Sequence, residues 1–167
     1  GDMKVLTIQN TAFELEKCKP GLAFFSIGAT EQHSRHLPLS TDTILADTLA
    51  TELLAAVKWP GYVYVLPTLP ISSSAENTGF RGTISFSPVT MRAIIRDVYR
   101  SLDSVGIRQL VVCTWHGGNF ILKPVIREIN QERGRCAVFY LNPFDHVPQH
   151  VWAKFSSGFE VHSGDSE

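Results

Sequence analysis

The stretch Thr30-Glu31-Gln32-His33-Ser34-Arg35-His36-Leu37-Pro38-Leu39-Ser40-Thr41-Asp42 carries two acids and two histidines on one polar segment. Carboxylate and neutral imidazole are the ligand types that zinc, manganese and iron(II) accept. In extended backbone, side chains alternate, so Glu31 and His33 point to one side and can grip a common centre. Asp42 reads as standing just before a helix, where it can cap free N–H groups and also return to the same point. Its two oxygens can bridge a pair of metals. Read alone, the segment is equally a solvated polar loop.

Two further segments bear on this choice. In Trp115-His116-Gly117-Gly118-Asn119, a histidine follows an apolar run and two glycines permit a sharp turn with close backbone approach to a ligand. In Glu160-Val161-His162-Ser163-Gly164-Asp165-Ser166-Glu167, His162 offers a general acid or base and Glu167 another ligand. By composition that last segment is also an ordinary acidic tail.

These residues need elements to bring them together. Leu22–Gly28 is an apolar run of strand formers opened by Pro20-Gly21, and 62–66 and 108–114 read as further buried strands, with a fourth at 137–141. Between them, Thr43–Val57 has apolar residues at helical spacing: Ile44, Leu45, Leu49, Leu53, Leu54 and Val57. Ser87-Pro88 opens a helix that Gly106 ends, and a third runs over 120–132. The turn-rich segment from Pro67 to Pro88 is long for a compact domain, and such loops are usually functional. Alternating strand and helix predicts an α/β fold with a mainly parallel sheet and helices on both faces. Ligands of such sheets bind at the carboxyl ends of strands, where both histidine-bearing loops emerge.

Composition narrows the classes. A net charge of -1 over 167 residues argues against nucleic acid or an anionic membrane as partner. No apolar stretch approaches the roughly 20 residues a membrane-spanning helix needs. Three cysteines without a CxxC pair suggest a reducing, cytoplasmic setting, and Cys113 reads as a small core residue. A phosphate-cradling loop with lysine is lacking, as is a GxGxxG turn after the first strand.

Taken together, the motifs resemble the creatininase (creatinine amidohydrolase) family. Glu31–Asp42 is similar to its Glu-Gln-His-Gly-x-His-Leu-Pro-x-x-Thr-Asp signature, and His116-Gly117-Gly118-Asn119 to its His-Gly-Gly-Asn turn. Gly79-Phe80-Arg81-Gly82-Thr83-Ile84-Ser85 resembles Gly-Phe-Pro-Gly-Thr-Ile-Ser, and His162–Glu167 resembles His-Ala-Gly-x-x-Glu-Thr. The resemblance implies a three-layer α/β/α sandwich and a site for two divalent ions (zinc, manganese or iron(II)). Glu31 and His116 would hold one metal and His33 the other, with Asp42 between them and Glu167 completing the second.

The implied reaction is hydrolysis of an amide, cyclic amide or formamide C–N bond outside peptides by metal-activated water. His162 would pass a proton to the leaving nitrogen, and Gly117, Gly118, Asn119 and Arg81 would contact the substrate. A small-molecule amide and a homo-oligomer, in this family often a hexamer, are the implied partners. Residues 1–167 would form a single domain cut short at its C-terminal end. Three departures mark this chain. Ser34-Arg35 replaces Gly-Pro or Gly-His, Gly118 replaces a metal-binding glutamate of true creatininases, and Gly158 replaces their substrate-contacting tryptophan. They turn the expectation from creatinine toward other amides, such as formamide-type pyrimidine intermediates or the peptide of mycofactocin maturation. The rival expectation is a binding protein that keeps the fold without the chemistry.

Overall fold

The computed structural model describes residues 3–151. Five parallel strands form one sheet: β1 (Lys4–Leu6), β2 (Leu22–Ile27), β3 (Tyr62–Val65), β4 (Gln109–Thr114) and β5 (Ala137–Leu141). Their order across the sheet is β1-β3-β2-β4-β5. Among the described residues, four α-helices bounded at both ends accompany them: α1 (Ala12–Cys18), α2 (Thr41–Ala56), α3 (Pro88–Ser104) and α4 (Leu122–Gln131).

Alternation along β2 explains the layers. All six of its residues are buried, and successive side chains serve opposite faces. Ala23, Phe25 and Ile27 pack with Leu110, Val112 and Val138 against Met91 and Ile95 of α3 and Leu122 and Ile126 of α4. Leu22 and Phe24 pack with Val63 and Cys113 against Ala46, Ala50 and Leu54 of α2. The result is a helix–sheet–helix sandwich. Cys113 is fully buried, and burial pushes its thiol up to about 12, as suits a core residue and not a nucleophile.

Two details of α2 differ from the sequence reading. On α2 the buried stripe is Thr41, Asp42, Ala46, Ala50 and Leu54, whereas Ile44 and Val57 are exposed. Small alanines at i, i+4 spacing let α2 lie close on the sheet, so the buried side is not marked by the largest apolar residues. Asp42 also lies inside α2, not before it. Ser40 is the N-cap residue and makes no side-chain capping bond, while Asp42 is buried in the first turn near the positive helix end. Its carboxylate lies beside two histidines, His33 and His116.

The chain runs from β2 to β3 on one side and from β3 to β4 on the other. β2 and β4 therefore lie side by side at a switch point, in register from Leu22↔Gln109 to Ile27↔Thr114. The loops leaving their carboxyl ends are those of Glu31 and His116. Close packing completes the alignment: a Cβ on Gly28 would lie 2.8 Å from Thr43 Cα, so α2 begins almost in contact with the end of β2.

Candidate metal centre

Glu31, Asp42 and His116 meet at this switch point. Each offers one ligand atom, and those atoms all lie within 4.8 Å of one another. Glu31 is fully buried, Asp42 is 1% exposed and His116 6%. His116 Nδ1 stands 2.9 Å from Glu31 Oε1 and 3.4 Å from Asp42 Oδ2. His33, also buried, lies on the other side of Asp42, with Nε2 3.5 Å from Oδ1. The two carboxylate oxygens of Asp42 thus face different imidazoles.

Each ring has one nitrogen fixed by a backbone acceptor. His116 Nε2–H donates to the Ser73 carbonyl (2.8 Å), and His33 Nδ1–H donates to the Glu31 carbonyl (3.1 Å). Neutral rings held this way turn a lone pair toward the carboxylates. Such a convergence of acceptors calls for a cation, either a proton or a metal ion. Electrostatics say the same. Burial is the largest single influence on both partners and opposes their charging. Against it, the hydrogen bond and mutual charge of Glu31 and His116 hold the Glu31 carboxyl down at about 2 and raise the His116 pKa. The donor set, buried and made of imidazole and carboxylate, fits zinc or manganese.

The long segment after β3 forms a third wall. Ser72 Oγ donates to the Gly28 carbonyl (2.5 Å), and Ile84 N–H donates to Thr30 (3.0 Å). A short 3-10 turn, Ala75–Asn77, brings the Asn77 amide onto Glu31 Oε2 at 2.7 Å, and Gln32 Nε2 donates to Asn77 Oδ1 at 3.0 Å. Sequence reasoning marked this loop as functional by its length but singled out neither Ser73 nor Asn77. A backbone carbonyl leaves no trace in residue type, and an asparagine in a turn is ordinary.

The remaining expected residues separate. Gly118 and Asn119 are buried beside the centre and Gly117 is exposed there, all three in the 3-10 helix Gly117–Ile121. The Asn119 side chain is committed internally: Nδ2 donates to Ser72 Oγ and Thr114 Oγ1, and Oδ1 accepts from Ser73 N–H. It fastens the third wall to β4, which gives the residue a positioning role. Arg35, His36 and Arg81 are exposed. His162 and Glu167 lie outside the described residues.

Comparison with known proteins bears on the fold and the family. The chain is 29% identical over 166 residues to the mycofactocin precursor peptide peptidase of Mycobacterium ulcerans (strain Agy99), covering 95% of this chain and 60% of that protein. It is 31% identical over 112 residues to the same-named peptidase of Mycolicibacterium smegmatis, covering 66% of this chain and 44% of that one. The chain thus spans about half the length of the curated relatives it matches. Among solved structures, a protein from Bacteroides fragilis NCTC 9343 assigned as a creatinine amidohydrolase superposes with a TM-score of 0.80 at 26% identity, over 95% of this chain and 63% of that one. A manganese form of creatininase gives 0.75 at 20% identity, over 96% and 67%. A creatininase variant of Zn-Zn type gives 0.73 at 21%, over 93% and 66%. The family described as creatininase, creatinine amidohydrolase, matches residues 9–167, so the chain with Glu31, Asp42 and His116 at its switch point belongs to the creatininase family.

Proposed function

We propose that this protein is a metal-dependent amidohydrolase that cleaves a C–N bond of an amide, cyclic amide or formamide. The observation that carries the reading is the convergence of Glu31, Asp42 and His116 within 4.8 Å, buried at the carboxyl ends of adjacent strands. These residues would hold a divalent ion, and His33, across Asp42, would serve a second with Glu167. When bound, such ions polarise a carbonyl and make water a competent nucleophile near neutral pH.

The chain's own groups set the conditions. Glu31 and Asp42 supply negative charge where water cannot screen it. Asn77 and the Ser73 carbonyl fix the orientation of Glu31 and His116. The N–H groups of Gly117 and Gly118 are proposed donors to the developing oxyanion. Arg81 is proposed to orient an anionic substrate group, and His162 to protonate the leaving nitrogen. A homo-oligomer in the cytoplasm, acting on a small-molecule amide, completes this reading.

A peptide amide is the second candidate bond, because the two mycobacterial relatives are named as peptide peptidases. The test is hydrolysis of a panel (creatinine, formamides and short peptides) by protein loaded with zinc or manganese, with and without chelator. Turnover of at least one amide that chelation abolishes and metal restores is the expected result. Turnover indifferent to chelation would refute metal dependence, and stoichiometric metal without turnover of any amide would favour a binding protein.

A further inference from the structure

The 3-10 turn that delivers Asn77 to Glu31 also delivers its neighbour, Glu76, to His116. Glu76 Oε1 lies 3.4 Å from His116 Nε2, on the side of the ring away from Glu31 and Asp42. The same Nε2 donates to the Ser73 carbonyl at 2.8 Å. One nitrogen of His116 therefore has a neutral acceptor and a carboxylate close to it, while the other faces the centre. Gly118 makes this crowding possible. A Cβ there would lie 2.4 Å from Ser73 O, 2.5 Å from His116 Nε2 and 2.6 Å from Glu76 Oε1. Any side chain at 118 would displace the carbonyl, the carboxylate or the ring.

We propose that Glu76 is a positioning residue for His116: with the Ser73 carbonyl it secures the Nε2 proton, through a gap that Gly118 keeps open, and commits Nδ1 to the metal. The inference rests on the metal reading above. Its physical basis is that a carboxylate beside the N–H of a ligating imidazole fixes the ring's tautomer and orientation and makes the opposite nitrogen a better donor. Charge-assisted contacts of this kind are stronger than those to a neutral carbonyl alone. Glu76 is half-exposed, with 54% of its side chain accessible. It can therefore be changed without opening a core cavity.

The experiment is competition for zinc against a chromogenic chelator, with cobalt(II) spectra as a second readout, on the native chain, Glu76→Gln, Glu76→Asp and Gly118→Ala. Loss of the charge in Glu76→Gln should weaken zinc about tenfold, the low end for such partners because solvent screens a half-exposed carboxylate, and shift the cobalt bands. Glu76→Asp should recover part of the affinity, and Gly118→Ala should lose it much as Glu76→Gln does. Melting of metal-free Glu76→Gln should stay within about 2 °C of native, since an exposed position contributes little. Zinc affinity within about twofold of native and an unchanged cobalt spectrum in Glu76→Gln would overturn the role, given the ten- to hundredfold cost typical of such partners. Native protein that binds no zinc would remove the metal reading and this inference together. Native binding lost in His116→Ala but indifferent to Glu76 would remove this inference alone.

Discussion

Two clusters of charge in this molecule look alike in a residue count and differ in every physical respect. Between α3 and α4, Arg92 grips Glu128 through two bonds (2.9 and 2.6 Å), and Arg96 pairs with Glu132. Arg92 and Glu128 are about half exposed, at 47% and 45%, so solvent screens what they contribute. At the switch point, Glu31 and Asp42 are buried and face imidazoles in place of guanidinium groups. A fixed guanidinium neutralises a carboxylate permanently. An imidazole held by a backbone carbonyl leaves the position open to a cation from outside. Burial and partner type, more than charge density, separate a site from a structural clasp.

Breaking the buried cluster should have the largest effect. Asp42→Ala removes the group that faces both His33 and His116, and metal-dependent hydrolysis should fall at least about 100-fold in a steady-state assay, with metal content lost in parallel. Retained activity at native metal content would place the chemistry elsewhere. Asn77→Ala strips Glu31 of the amide that orients it, and zinc affinity should fall about tenfold in a chelator competition.

Proton competition gives the next effect. The His116 pKa is raised above its ordinary 6.5, so its favourable protonation in the metal-free protein is complete below that value and is lost as pH rises through the raised one. A metal must displace this proton, so zinc affinity should climb from about pH 6 to about pH 8. Flat affinity over that range would show that Nδ1 is not the displaced site. The smallest effect belongs to the exposed clasp: Arg92→Ala should leave metal content unchanged and lower Tm by no more than about 3 °C in a thermal melt.

The sequence announced much of this and concealed an instructive remainder. β2, β4 and β5 were legible because each is an apolar run between turn signals. The parallel sheet followed from alternation with helices, and the meeting of the two histidine loops followed from their shared sheet edge. Edge strand β1 is three residues long and opens with a lysine, too short for periodicity to register. Helix α1 buries nothing, so no apolar stripe announces it, and its Thr11–Glu14 capping box is its one start signal in the sequence. The helix α2 begins two residues earlier than the sequence suggests, because an acid near a helix start reads as a cap unless its partners across the chain are known. Ser73, Glu76 and Asn77 were illegible for the same reason. Their roles depend on where a loop folds over β2 and β4, and that is a property of tertiary packing.

Elemental analysis offers the most direct test of the central claim. The native chain, Asp42→Ala and His116→Ala would each be loaded with zinc or manganese and passed through gel filtration. The account predicts at least one divalent ion per native chain and only background in both variants. Equal metal in all three proteins, or none in the native chain, would contradict it.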